Sequence, residues 1–222
     1  MKKICIILCF LFVGYVFAFN AQNQVLKAES KTVYLTFDDG PSQNTIKILE
    51  ILKKNKINAT FFVIGQNAEN RKELTKKIIA YGNEIGIHTQ THDYKKIYKD
   101  EKSLYEDILE CKNTLKKILP TYTVKAYRFP GGSFNLSEKL KKVPQTFNLT
   151  YYDWNASCRD CELKDYTPQD LIDSCITTSC HKNKIILLMH DAPNKYRSVN
   201  ALQGIIDYYK NAGYVFKKIS EK

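Results

Sequence analysis

Thr32-Val33-Tyr34-Leu35-Thr36-Phe37-Asp38-Asp39-Gly40-Pro41-Ser42 contains the opening unit of the fold. Residues 32–37 are all β-branched, aromatic or leucine, which predicts a strand, and Gly40-Pro41 stops it. Just beyond, Ile46, Leu49, Ile51 and Leu52 give residues 45–56 one apolar face, which predicts a helix. The same cycle recurs downstream. Further strands are predicted over 60–64, 84–88, 125–128, 147–152, 184–189 and 214–218, with helical patterns over 71–81, 104–119, 168–175 and 202–210. Alternation of this kind predicts parallel strands joined by crossover helices, as an open doubly wound sheet or a closed barrel. Periodicity does not separate the two, but polar side chains follow directly on several strands: Asp38 and Asp39, then His88, Arg128, Asp153 and His190. Five strand ends converge more easily on a barrel mouth than on a flat sheet.

The chain has 222 residues, 44% hydrophobic and 26% charged. That is enough for one sizeable core and too polar for a multi-span membrane protein. Residues 1–21 differ in kind: Lys2 and Lys3 precede an uncharged run over 4–19, shorter than the roughly 20 residues of a spanning helix. They read as a secretory signal, with an uncleaved N-terminal anchor as the alternative. Residues 22–31 form a short lead-in, and no linker or repeat interrupts 32–222. The formal charge is +11. Losing Lys2 and Lys3 with the signal leaves +9, which favours anionic polymers or serves solubility alone. The lysines are spread through helical segments rather than massed, so nucleic acid is not the expected partner.

Cys5 and Cys9 leave with the signal, and five of the seven cysteines remain. Cys111 shares helical spacing with Leu104, Ile108, Leu115 and Ile118 and reads as a core thiol. For Cys158, Cys161, Cys175 and Cys180 an oxidising exterior suggests two disulfides, in any of three pairings. The rival is a zinc site from Cys158 and Cys161 with Cys180 and His181.

Each chemically able segment has a functional and a plain reading. Adjacent carboxylates such as Asp38 and Asp39 repel unless a cation sits beside them, and a metal would let one ligate while the other acts as a base. The plain reading is a turn with Ser42 as helix cap. His88-Thr89-Gln90-Thr91-His92 spaces two of the four histidines as metal ligands, or as surface histidines in a polar loop. Arg128-Phe129-Pro130-Gly131-Gly132 offers a guanidinium to hold a carboxylate and a Gly131 N–H to face an oxyanion, or simply a turn. Trp154 can wall a pocket, stack on a sugar or pack in the core. His190, at the end of an apolar strand, suits acid–base work or is an ordinary satisfied histidine.

Together and in this order, these segments resemble the motifs of the polysaccharide deacetylases, the NodB-homology group also called carbohydrate esterase family 4. The resemblance runs from about Thr32 to the C-terminus. It implies an α/β fold, a distorted (β/α) barrel of about seven parallel strands forming a single domain over 32–222. It also implies one divalent metal ion on Asp39, His88 and His92; zinc suits that set, and cobalt, nickel or iron fit the same ligands. By the same resemblance Asp38 is the base, Arg128 orients it, Gly131 supplies the oxyanion N–H, and His190 is the acid. Asp153 matches the carboxylate that tunes the acid, and Trp154 and Leu188 match the walls of the acetyl pocket. Many relatives have Arg-Pro-Pro-Tyr-Gly in the third motif. The Arg128-Phe129-Pro130-Gly131-Gly132 version resembles the bacterial peptidoglycan N-acetylglucosamine deacetylases.

The expected function is a secreted or envelope-associated, metal-dependent hydrolase that removes N-acetyl groups from N-acetylglucosamine in peptidoglycan and releases acetate. The expected partner is the glycan polymer alone, with the enzyme a monomer and membrane attachment only through residues 1–21. Chitin oligosaccharide, poly-N-acetylglucosamine and acetylated xylan are alternative substrates. From another class, the alternative is a non-catalytic wall-glycan-binding protein.

Overall fold

Strand β1 (Thr32–Asp38) is buried along its whole length, as a continuous run of strand-forming residues requires when both faces are covered. The protein is described by a computed structural model covering residues 31–222; the expected signal, 1–21, and the lead-in up to Ser30 lie outside the described residues. The other strands are β2 (Thr60–Val63), β3 (Glu84–Ile87), β4 (Ala126–Tyr127), β5 (Thr150–Tyr151), β6 (Ala156–Ser157), β7 (Lys184–His190) and β8 (Val215–Phe216). The helices are α1 (Thr45–Asn55), α2 (Gly65–Asn70), α3 (Lys72–Ala80), α4 (Tyr94–Ile97), α5 (Glu101–Ile118), α6 (Glu138–Lys142), α7 (Pro168–Ser179) and α8 (Tyr196–Asn211). None of them is long and apolar enough to cross a membrane.

The strands pair in parallel in the order β5-β4-β3-β2-β1-β7-β6, with β8 added beside β1. This order forces curvature. Laid flat, the edge strands β5 and β6 would stand about 29 Å apart at ~4.8 Å per strand. Only residues 152–155 join them, and that connection spans at most about 18 Å. The sheet therefore curls into the distorted barrel.

Side-chain alternation separates the two faces of the curl. Outward positions such as Val33, Leu35, Phe37, Phe61, Ile85, Ile87, Leu187 and Met189 pack with the helices in the main core. Leu104, Ile108, Cys111 and Leu115 of α5 join them, so Cys111 is the core thiol its spacing predicts. Inward positions make a smaller cluster of Tyr34, Phe62, Ala126, Ile186 and Ile219. A Cβ at Gly86 would lie 2.6 Å from the Phe62 ring, so glycine makes room for that packing. Below the cluster, Thr60 donates to Glu84 at 2.8 Å, and the backbone N–H groups of Ile219 and Ser220 donate to Thr60 and Glu84 at 3.0 Å. The C-terminal segment thus plugs the barrel floor, and the open mouth lies at the strand C-termini.

The predicted strand over 147–152 shortens to β5, because Val143–Phe147 is a 3-10 helix ended by left-handed Asn148 at φ 57°. Strand β6 was not predicted. It consists of two residues, too few for a periodicity, and forms through pairing of Ala156 with Leu187 and Ser157 with Leu188. The cysteine expectations also change. All five described cysteines are free thiols, and Cys158 and Cys175 are buried without a disulfide between them. The Cys158–Cys161–Cys180–His181 zinc set does not assemble, because Cys180 and His181 precede β7 while Cys161 meets His190 at its far end, roughly 20 Å along the strand.

Phe61 is fully buried and stacks on Phe37 with ring centroids 5.1 Å apart. Phe61→Ala is expected to cost about 3–5 kcal/mol, read as a lower urea midpoint with an unchanged slope.

Candidate active site

Five inward or strand-terminal positions meet at the barrel mouth. Parallel pairing sets Asp38 beside His190, and Arg128 reaches across to both β1 and the segment after β5. Arg128 is fully buried. Its Nη1 donates to Asp38 Oδ1 at 2.9 Å and to Thr36 Oγ1 at 2.7 Å, its Nε donates to the Tyr152 carbonyl at 2.9 Å, and its guanidinium lies 4.2 Å from the Phe62 ring centroid. Asp38 Oδ1 is thereby occupied, while Oδ2 lies 3.8 Å from His88 Nε2. Burial pushes the Asp38 carboxyl above its ordinary value, against the opposing pull of Arg128.

Asp39, His88 and His92 form a donor cluster. Asp39 Oδ1 stands 3.6 Å from His88 Nε2 and 3.4 Å from His92 Nε2. Three donors around one tetrahedral ion at ~2.0–2.1 Å would be about 3.3 Å apart, so the separations fit. Asp39 Oδ1 is buried with no hydrogen-bond partner, an orphan acceptor that a cation would satisfy. His88 Nδ1 lies 2.8 Å from the Arg128 carbonyl, which only accepts; Nδ1 therefore carries the proton and Nε2 presents its lone pair to the cluster. Burial lowers the His88 imidazole to about 3, so it is neutral and able to ligate.

The loop between the two imidazoles is held by residues that no local pattern marks. Asp107 on α5 accepts from Gln90 N–H at 2.5 Å and Thr91 Oγ1 at 2.7 Å, and Gly65 and Gln66 of α2 donate to the Thr89 and Gln90 carbonyls at 3.0 and 3.1 Å. That bracing holds Thr89 and His92 at φ 69° and 57°, and Asn67 of α2 donates at 2.8 Å to the carbonyl of Asp39, which has φ 74°; such conformations cost about 1–3 kcal/mol each without glycine. Asp191 braces the other side. It accepts from Ser42 Oγ and Thr45 Oγ1 at 2.7 and 2.5 Å, and a Cβ at Gly40 would come within 2.5 Å of it, so glycine is needed there. Ser42 thus serves both this contact and the turn before α1.

Asp153 is not the partner of His190. Its oxygens accept from Ser133 N–H at 2.9 Å and from Ser133 Oγ, which pins the Pro130-Gly131-Gly132 turn. The partner is Asp160, which sequence reasoning missed because it lay inside the Cys158–Cys161 pattern. Asp160 Oδ1 is 2.7 Å from His190 Nδ1, and Oδ2 accepts from His190 N–H at 3.1 Å and Ser198 Oγ at 2.7 Å. Burial pulls the His190 imidazole down, but Asp160, Cys161 and Asp38 outweigh it and raise it to about 11. His190 is therefore an imidazolium at neutral pH, with Nδ1 held and Nε2 left to face the mouth.

Gly131 takes φ 74°, and a Cβ there would lie 3.1 Å from the Tyr94 hydroxyl. The Gly132 N–H is already given to the Phe129 carbonyl at 2.8 Å. Leu188 is buried two residues before His190, on the same face of β7. Trp154 packs against the inner cluster and meets exposed Phe134 edge-on at 5.5 Å, forming an aromatic rim.

The polysaccharide deacetylase family matches residues 26–152. Two peptidoglycan-N-acetylglucosamine deacetylases of Bacillus cereus are 32% and 31% identical over 199 and 193 residues; the alignments cover 87% and 86% of this chain and 71% and 87% of theirs. Among solved structures, a Streptococcus mutans CE4 esterase superposes with a TM-score of 0.80 at 30% identity, covering 86% of each chain.

Proposed function

The chain belongs to the polysaccharide deacetylase family, and on that premise we propose that it removes N-acetyl groups from N-acetylglucosamine in peptidoglycan, releasing acetate. The observation that carries the proposal is the buried Asp38, tied to Arg128 through one oxygen, with a donor cluster on one side and the His190 imidazolium on the other. The enzyme works outside the membrane, carried there by residues 1–21.

Asp39, His88 and His92 would hold one divalent ion, with zinc the best suited to two imidazoles and a carboxylate. Bound there, it supplies Lewis-acid polarisation of the acetyl carbonyl and makes a water at the site more acidic. Asp38 Oδ2, the oxygen that Arg128 leaves free, would take the proton of a water as that water's oxygen adds to the acetyl carbon, while Arg128 keeps the carboxylate aimed. The Gly131 N–H stabilises the oxyanion, in a turn pinned by Asp153. His190 then delivers a proton from Nε2 to the glucosamine nitrogen as the C–N bond breaks, because an amine anion leaves poorly. Trp154 and Leu188 border the acetyl group, and Phe134 extends the aromatic rim for a sugar ring.

The test is acetate release by the purified protein, stripped of metal and reloaded with zinc or cobalt, on peptidoglycan beside chitopentaose and acetylated xylan. Metal-restored release from peptidoglycan is expected. Release from chitopentaose or xylan alone moves the substrate to those glycans, and glycan binding without release from any of them overturns the hydrolase reading.

A further inference from the structure

We propose that Cys161 Sγ and His190 Nε2 form a second cation site that takes a thiophilic divalent ion such as zinc or cadmium. Asp160, Cys161 and His190 bring a carboxylate, a thiol and an imidazole together on the opposite side of Asp38 from the Asp39–His88–His92 cluster. Cys161 Sγ stands 3.7 Å from His190 Nε2. Sulfur and nitrogen ligands at ~2.3 and ~2.0–2.1 Å around a tetrahedral ion are about 3.6 Å apart, so the separation fits; the sulfur also stands 3.5 Å from Nδ1, and the exposed Cys161 side chain turns toward the Nε2 end of the ring to chelate.

The surroundings favour ligation over a chance contact. Asp160 holds His190 Nδ1 at 2.7 Å, which places a carboxylate behind the ligating imidazole as in carboxylate–histidine–metal units. Asp160 is itself buried and fixed by Ser198, and Lys195 donates to its backbone carbonyl at 2.6 Å. Arg159 adopts φ 62°, a left-handed conformation that costs about 1–3 kcal/mol and delivers Asp160 and Cys161 in succession to one imidazole. Cys161 is exposed, so an ion reaches it from solvent, whereas Cys158 is fully buried. The Cys158–Cys161 spacing is therefore not a two-thiol site: its second cysteine works with His190 instead.

An ion there displaces the protons of the thiol and of Nε2. On the reading that His190 is the acid, it leaves no proton to deliver to the amine, and excess zinc inhibits the enzyme that one equivalent activates.

The two sites are separable by their ligands, because the first holds no sulfur. Cadmium titration of the full chain carrying Cys5→Ser, Cys9→Ser and Cys180→Ser is expected to bind two ions. One of them brings the ultraviolet thiolate-to-cadmium charge-transfer band. Adding Cys161→Ala is expected to abolish that band and leave one bound ion, and Asp160→Asn to weaken the second ion about 10- to 100-fold. A single cadmium in the parent, or a band that survives Cys161→Ala, overturns the site. Zinc inhibition of acetate release provides an independent arm: a band that follows Cys161 without any inhibition upholds the site and overturns His190 as the acid.

Discussion

Asp38→Asn is expected to lower the rate of acetate release by roughly 100- to 10,000-fold while the protein still binds one divalent ion at Asp39, His88 and His92. The asparagine keeps an oxygen where Asp38 Oδ1 now accepts from Arg128 at 2.9 Å, so the buried guanidinium stays hydrogen-bonded. Alanine would instead leave Arg128 buried and unpaired, at about 3–5 kcal/mol, and a loss of activity there would report folding. What asparagine removes is the basic oxygen 3.8 Å from His88 Nε2. His88→Ala is the complement, expected to lose both the ion and activity, since it deletes a donor of the cluster. Metal content by mass spectrometry, a urea titration and acetate release on each variant separate the roles. Turnover by Asp38→Asn at the parent rate would remove Asp38 as the base.

The same buried carboxyl shapes the acid side of the pH profile. A base must be ionised, and burial raises Asp38 above the usual carboxylate range despite Arg128. In the metal-free protein Asp38 is therefore expected to take up its proton at higher pH than an exposed aspartate, and a cation on the neighbouring donor cluster to oppose that rise.

How much of this was legible in the sequence depended on distance along the chain. Of the residues proposed to bear the chemistry, Asp38, Asp39, His88, Arg128 and His190 stand at strand ends, where strand termination itself marks them, and His92 is marked by its spacing from His88. The residues that hold them are not so marked. Asp107 acts on a loop 16 and 17 positions away, Asp160 on His190 at 30, and Asp191 on Thr45 at 146. An aspartate between two cysteines or on a helix carries no sign of such a partner. Asp153 misled for a related reason. It follows a strand like the others, but its oxygens are spent on Ser133, a contact that depends on how the Gly131-Gly132 turn folds back. The free cysteines follow the same logic: spacing suggested pairs, while burial separates Cys158 from the exposed Cys161.

Asp160→Asn and Asp153→Asn are accordingly expected to fail differently. His190 must be protonated to act as the acid, so activity is present below its pKa and lost as pH rises through it. Burial lowers that pKa and the Asp160 carboxylate is the leading influence raising it, to about 11 in all. Asparagine at 160 removes the charge and leaves the burial, so the alkaline limb of kcat/KM moves to lower pH and kcat at neutral pH falls roughly 100- to 10,000-fold. Asparagine at 153 keeps an acceptor for one Ser133 donor and touches no part of His190. It is expected to slow the reaction through the Gly131 turn, by up to roughly 100- to 1,000-fold if the oxyanion donor is lost, with the alkaline limb unmoved. Profiles of the two variants against the parent decide between the carboxylates. An alkaline limb displaced in Asp153→Asn and fixed in Asp160→Asn would return the tuning role to Asp153 and leave Asp160 as a brace for β7 and α8.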